Sequence, residues 1–406
     1  MKLNGSSCES SRQYLKFAAG AQALIASIVM TVSPTLAGDW SFNGRVNDRI
    51  EIFDNYGLLP KSKGYVIRDS LGLSGDFAYT THISKFDLIA DIVANGYAGS
   101  GSTKLEDGIF PKLATKYHRD DKRTSFDLGA QYAYVFIPAV EDFDPDLGLI
   151  VQIDASARHA FGANFSVQHK VDRLNVISYS ASANENIYTG AGIDNASFNN
   201  SVSWNHLLTK LWSTNFGLGA RLLTTDDAAK TERIIYSANA GLAAKLTKRL
   251  SGNLGVGINV ISTEKGDLLL PGAPRSTKTN IGYSANGGLQ YNLKTMSLGA
   301  SVNYGLQPTT LGGIQNNFGF GLNASKIINE RSSISAIASA QFISAVDKND
   351  KSNTIARYSF GPTYSYQLTR DWDFSAGYKF TLRDTQLATA KAHSAFLSLG
   401  YKFGVK

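Results

Sequence analysis

From Trp40 onward, apolar and polar residues alternate with a period of two almost to the end of the chain. That is the pattern of strands with two unlike faces. In residues 281–293, Ile281, Tyr283, Ala285, Leu289, Tyr291 and Leu293 share one face, and Ser284, Asn286, Gln290 and Asn292 share the other. In residues 372–382, Trp372, Phe374, Ala376, Tyr378, Phe380 and Leu382 oppose Asp373, Ser375, Lys379 and Thr381. From about residue 196, strand, tight turn, strand and looser loop recur. The tight turns hold Thr209-Lys210, Thr247-Lys248-Arg249, Lys294-Thr295, Asn329-Glu330-Arg331 and Thr369-Arg370-Asp371. The other connections, over 226–230, 264–275, 307–313, 347–352 and 384–391, are longer and polar. Short turns at one end and long loops at the other are the asymmetry of an outer-membrane barrel.

The pattern predicts an all-β fold: a transmembrane, antiparallel, up-and-down β-barrel of about 18 strands, with 16 as the alternative count. In the first half the strands fall near 40–54, 64–80, 84–97, 109–119, 123–136, 148–159 and 164–179, and alternation is mixed in the fourth and seventh. An even number returns both termini to the periplasmic side. One face is rich in Tyr and Phe, the other in Ser, Asn, Gly and Gln, and no helical segment offers a second layer to cover the apolar face. Lipid can cover it, provided the sheet closes so that every backbone group is paired.

Residues 1–37 break the pattern. Arg12 and Lys16 precede an apolar run over 17–32, which ends at Ser33-Pro34-Thr35-Leu36-Ala37. A basic start, a short apolar core and a small residue at the end predict a signal peptide cleaved after Ala37. The barrel is then residues 38–406. The run is short for a spanning helix, which needs roughly 20 residues. Cleavage would remove the lone Cys8, leaving neither a disulfide framework nor a cysteine metal cluster. It would also remove Lys2, Arg12, Lys16 and Glu9, taking the charge from +7 to +5. The overall figures, 43% hydrophobic and 18% charged over 406 residues, exclude a disordered chain.

A barrel of this size is too wide for side chains to fill, so a water channel is expected. Parity assigns the inward residues. The N-terminal part supplies Arg45, Arg49, Glu51, Arg68, Asp76, Asp87, Asp91, Asp127, Asp154 and Arg158. The C-terminal part supplies Arg221, Arg233, Lys245, Arg357, Asp373, Lys379, Arg383 and Lys402. The second group is strongly basic, and a basic wall favours anionic solutes. The plain alternative is a set of solvated lumen charges, some paired across strands. Asp48 and Asp69 fall on the apolar parity, which predicts a rim position with a local bulge.

Enzyme chemistry has no foothold. His82, His118, His159, His169, His206 and His393 are scattered, and none has the helical spacing of a zinc site. His393 and Ser394 are adjacent, so they point to opposite faces of a strand. The glycines of 252–257 lie within a strand rather than before a helix, unlike a phosphate-binding loop. No catalytic residue, metal or cofactor is predicted. No basic patch interleaved with exposed aromatics suggests nucleic acid.

The first strand ends in Glu51-Ile-Phe-Asp54-Asn55, and the chain closes on His393-Ser-Ala-Phe-Leu-Ser-Leu-Gly-Tyr401-Lys-Phe403. In these two stretches the chain resembles the outer-membrane β-barrel porins that accompany exopolysaccharide biosynthesis genes in Gram-negative bacteria. The family's acidic-x-x-Asp-Asn stretch maps onto Glu51, Asp54 and Asn55. The resemblance implies polysaccharide secretion or solute passage and names no residue that performs chemistry. Tyr401 and Phe403 would form the alternating aromatic signal read by the barrel-assembly machinery, although Gly404-Val405-Lys406 follow it. Outer-membrane lipid and lipopolysaccharide are the expected surroundings. A polymer exporter would also need a separate periplasmic export component to deliver its cargo, since no helical-repeat scaffold precedes the first strand. Three functions stay open: export of exopolysaccharide or passage of hydrophilic and anionic solutes, an uptake porin, and a structural or adhesive barrel with a closed pore. An uptake porin often narrows its lumen with a long loop. The longest candidates, 98–108, 137–147, 180–195 and 263–275, are modest and lean toward a wide channel.

Overall fold

The computed structural model describes residues 38–101, 105, 107–137, 140–144, 149–153, 156–190, 193–227, 230–266, 276–308, 314–345, 354–385 and 388–405. The predicted signal segment 1–37 and Asp154 lie outside these residues.

The chain runs through β1 (Asp39–Phe53), β2 (Val66–Thr80), β3 (Ser84–Ala98), β4 (Gly108–Asp120), β5 (Thr124–Ile137), β6 (Val140–Asp144), β7 (Leu149–Ile153), β8 (Ser156–Lys170), β9 (Asn175–Thr189) and β10 (Asn195–Leu207). It continues through β11 (Trp212–Thr225), β12 (Glu232–Lys245), β13 (Leu250–Lys265), β14 (Ser276–Asn292), β15 (Met296–Pro308), β16 (Ile314–Asn329), β17 (Ser332–Ala345), β18 (Ile355–Gln367), β19 (Trp372–Asp384) and β20 (Thr389–Val405). Eighteen of these form one antiparallel sheet, and β1 pairs with both β2 and β20, so the sheet closes into a barrel. Strands β6 and β7 pair only with each other, as a hairpin within the connection from β5 to β8.

The 18-strand expectation holds, but two strands sit elsewhere than the alternation suggested. The sixth and seventh barrel strands are β8 and β9, each about ten residues later than 148–159 and 164–179. The turn between them is at 171–174. There Asp172 accepts hydrogen bonds from the backbone N–H of Leu174 and Asn175 at 2.7 and 2.8 Å, and Asn175 Nδ2 donates to it at 2.8 Å. Asp172 thus supplies the turn chemistry, while Gly162 continues a strand. Residues 180–195 are accordingly mostly β9 and not a loop.

Most large apolar side chains point outward; Ile337 and Phe396 are inward exceptions. Trp40 packs on Phe77 and Tyr79 with ring centroids 4.9 and 4.2 Å apart, Trp372 on Tyr401 at 4.8 Å, and Trp204 on Phe216 at 5.7 Å. These pairs lie at the ends of strands that enter or leave the short turns, where an interfacial girdle belongs. A packed core is nearly absent. Most of the few buried apolar residues among those described, such as Val66, Ile343 and Ile355, lie at strand ends beside the long loops, while Ala78 and Ala244 lie near short turns.

Asp48 and Asp69 do face outward, but no bulge places them there. The β1–β2 register runs unbroken from Asp39↔Thr80 to Phe53↔Val66. Depth accounts for them instead. With a strand rise of ~3.4 Å per residue and a tilt of ~40°, Asp48 stands roughly 20 Å above Trp40, near the upper margin of an apolar band ~25 Å tall.

Candidate functional site: two unlike walls around one lumen

The register determines which residues share the polar, inward face. Arg45, Arg49 and Glu51 stand opposite Ser74, Ser70 and Arg68 on β2, and opposite Lys402, Ser398 and Phe396 on β20. On the same face lie Asp87 and Asp91 of β3, Asp127 of β5, Arg158 of β8, Arg221 of β11, and Arg233 and Lys245 of β12. Arg357 of β18 and Lys379 and Arg383 of β19 complete the set.

Closure of the barrel brings the two ends of the sequence together. Arg45 Nη2 donates to Asp373 Oδ1 at 2.6 Å, and Lys402 Nζ lies 3.3 Å from Asp373 Oδ2. Nearer the loops, Glu51 Oε2 accepts from Arg68 Nη2 at 2.6 Å and from Arg49 Nη2 at 3.0 Å. Glu51 is 4% exposed, and the Arg49 guanidinium lies 3.8 Å from the centre of the Phe396 ring. In both clusters two cations share one carboxylate, so each retains net positive charge. Arg357 and Arg383 stand directly opposite each other across β18 and β19.

The parity reading of the sequence omitted three bases of this wall. Lys85 faces inward on β3 and pairs with Asp87 at 2.7 Å. Lys112 and Lys116 on β4 stand opposite Asp91 and Asp87. The signal for the last two was present, since Lys112, Ala114 and Lys116 alternate with Leu113, Thr115 and Tyr117; Pro111 and His118 obscured it. His118 Nδ1 bonds to Asp127 at 2.7 Å, and Ser166 Oγ donates to the same carboxylate at 3.2 Å.

The facing wall has a different chemistry. From β9 to β17 the inward positions at mid-depth are mostly Ser, Asn and Gly, with Ile337 of β17 an apolar exception, and the inward charges among the described residues lie toward strand ends: Arg221, Arg233, Lys265 and Lys278 toward the loops, Lys245 toward the turns. Asparagines repeatedly stand opposite glycines, as in Asn239↔Gly217, Asn286↔Gly255 and Asn253↔Gly288. A Cβ on Gly255 would come within 2.5 Å of Asn286 Oδ1, so glycine leaves the space the carboxamide occupies. The result is a smooth surface of amides and hydroxyls.

The residues of the acidic-x-x-Asp-Asn stretch tie the barrel seam. Asp54 Oδ1 accepts from the His393 N–H at 2.7 Å, and the Asp54 N–H donates to the His393 carbonyl at 3.1 Å. Asn55, 6% exposed, donates to the carbonyls of Leu59 and Lys391 at 2.7 and 2.9 Å and accepts from the Leu59 N–H at 3.0 Å. Glu51, Asp54 and Asn55 therefore join the first strand to its neighbours near the loop end. At the other end Tyr401 and Phe403 face outward against Trp372 and Phe42. Among the described residues no group of three or more His, Cys, Asp or Glu is placed to hold a metal ion.

No family model matches the chain, and no curated protein is similar to it. Among solved structures, it is similar to a BenF-like porin from Pseudomonas fluorescens, with a TM-score of 0.53 and 8% identity, over 90% of this chain and 99% of that one. It is also similar to OccAB2 of Acinetobacter baumannii, with a TM-score of 0.50 and 9% identity over 91% and 98% of the two chains. OccAB3 of the same organism gives a TM-score of 0.50 and 10% identity over 90% and 100%. At these identities the likeness lies in the fold, which is a closed 18-strand antiparallel barrel of the porin kind.

Proposed function

We propose that this protein is an integral outer-membrane channel that admits small hydrophilic solutes, anions preferentially, by passive uptake. The observation that carries this reading is the stoichiometry of the ion clusters at the seam. Asp373 is shared by Arg45 and Lys402, and Glu51 by Arg49 and Arg68. Lys379 adds a further inward base, while Lys112 and Lys116 offset Asp91 and Asp87, which stand opposite them. A positive strip along one wall of a water-filled pore raises the local concentration of anions. At mid-depth the inward positions of the facing wall carry no charge among the described residues, and its amides and hydroxyls offer hydrogen bonds without holding ions. Likeness of fold to porins supports uptake over the export of polysaccharide that the resemblance at residues 51–55 implied.

In the same reading, residues 1–37 direct export across the inner membrane and are removed near Ala37, and the assembly machinery recognises Tyr401 and Phe403. Lipid and lipopolysaccharide surround the barrel. The test is swelling of liposomes carrying the purified protein, in iso-osmotic small carboxylate, neutral disaccharide, or acidic polysaccharide. Uptake predicts rapid swelling in carboxylate, slower swelling in disaccharide and none in polysaccharide. Swelling in none of them would favour a closed surface barrel, and a polysaccharide that blocks carboxylate entry would return export to first place.

A further inference from the structure

The outward face carries a groove of its own, independent of the lumen. Its floor is a run of small residues: Ala244 of β12, Gly252 of β13, Gly287 of β14 and Ala300 of β15. Trp212, Leu254, Leu289 and Phe320 wall it, and its volume is about 450 Å³. The register makes it continuous. Trp212, Ala244, Gly252, Leu289 and Ala300 are successive cross-strand partners from β11 to β15. The floor begins close to the short turns, since Ala244 is one residue from Lys245 at the end of β12 and Gly252 is the third residue of β13.

The turns below this groove differ from the other short turns in charge. Those joining β10 to β11, β12 to β13 and β14 to β15 hold Lys210, Lys248 with Arg249, and Lys294, with no acid among them. Elsewhere each short turn that holds a base also holds an acid: Asp121 with Lys122 and Arg123, Asp172 with Arg173, Glu330 with Arg331, and Asp371 with Arg370. Three neighbouring turns thus present uncompensated positive charge at the interface, directly beneath an apolar groove. Lys210 and Arg249 belong to exposed turn segments.

We propose that this face binds an anionic glycerophospholipid of the periplasmic leaflet. Its phosphate sits among Lys210, Lys248, Arg249 and Lys294, and an acyl chain lies along Ala244, Gly252 and Ala300. An apolar groove alone would accept any acyl chain. The basic turns select the headgroup, because each Lys or Arg at an interface favours anionic lipid. Trp212 at the groove's edge provides a reporter.

The experiment uses the full barrel with Trp40→Phe, Trp204→Phe and Trp372→Phe, which leaves Trp212 as the sole tryptophan, in bilayers doped with lipids brominated on their acyl chains. Brominated phosphatidylglycerol should quench Trp212 at a mole fraction on the order of ten-fold lower than brominated phosphatidylcholine. Replacing Lys210, Lys248, Arg249 and Lys294 with Gln should abolish that preference while leaving quenching by phosphatidylcholine unchanged. Ala300→Leu should weaken quenching by both lipids. Equal quenching by the two lipids in the unsubstituted turns, or a preference that survives the four Gln substitutions, overturns the proposal. Absence of quenching by either lipid, with two barrels cross-linking through this face, would assign the groove to a second copy of the chain and equally overturn it. None of these readouts depends on solute passage, so the channel reading stands or falls separately.

Discussion

The two walls of the lumen are made from the same kind of strand and do different work. From β18 through the seam to β5 the wall is built of ions, and its geometry depends on contacts between residues far apart in sequence, such as Arg45 with Asp373. From β9 to β17 it is built of Ser, Asn and Gly, in a repeating cross-strand pattern that needs only neighbouring hairpins. The difference follows from where the barrel must close. Consecutive hairpins form locally, whereas the pairing of β1 with β20 has to be specified over the whole chain. Charged and asparagine side chains at that joint, such as Arg45 with Asp373 and Asn47 with Ser398, mark its register, and under the proposed function the same charges set the ion preference.

The sharpest way to break this comparison is to remove a carboxylate from the seam. Glu51→Ala leaves Arg49 and Arg68 facing each other beside a buried position. We expect a loss of about 2–3 kcal/mol in urea unfolding, toward the lower end of what breaking a buried ion cluster costs because both arginines keep some access to water. Asn253→Ala on the opposite wall should cost about 0.5 kcal/mol or less by the same measurement. Equal losses at the two sites would erase the distinction between a specified seam and a repetitive wall. Next in size, Asn55→Ala removes three hydrogen bonds and leaves the Lys391 and Leu59 carbonyls without that partner; about 1–2 kcal/mol is expected.

Smaller still is a change in selectivity. Lys112→Gln with Lys116→Gln should lower the anion-to-cation permeability ratio about threefold, read as a reversal potential, an effect worth about 0.6 kcal/mol. Ser301→Ala on the uncharged wall should leave the ratio unchanged. The smallest effect concerns the turn at 171–174. The Asn175 side chain, and then the Leu174 N–H, hold the Asp172 carboxyl below its ordinary range. A carboxyl lowered in the folded state contributes stability that is present above its unfolded value and fades as pH falls through the folded one. Urea midpoints of the parent and Asp172→Asn proteins should therefore differ slightly at neutral pH and converge only in strong acid.

Much of this was legible beforehand, and the failures are local. Period-two alternation defined the barrel and its strand number. It misplaced β8 and β9 because Gly162 and Asn164 look like turn residues, whereas the turn is made by an aspartate whose acceptor role depends on geometry. It missed Lys112 and Lys116 because Pro111 sits between apolar neighbours on a strand whose outer face also carries Thr115. It invoked a bulge for Asp48 and Asp69 where height in the membrane suffices. The sharing of Asp373 by Arg45 and Lys402 had no local signature at all, since it exists only once the barrel has closed.

The central claim is that the seam makes an open pore with a positive bias. It is tested most directly by the reversal potential of the purified protein in a planar bilayer under a potassium chloride gradient. The account predicts a steady conductance whose reversal potential has the sign of chloride selectivity. It also predicts that Arg45→Gln with Lys402→Gln, which leaves Asp373 unpaired, moves that potential toward potassium. A silent bilayer, or a channel selective for potassium before any substitution, would contradict it.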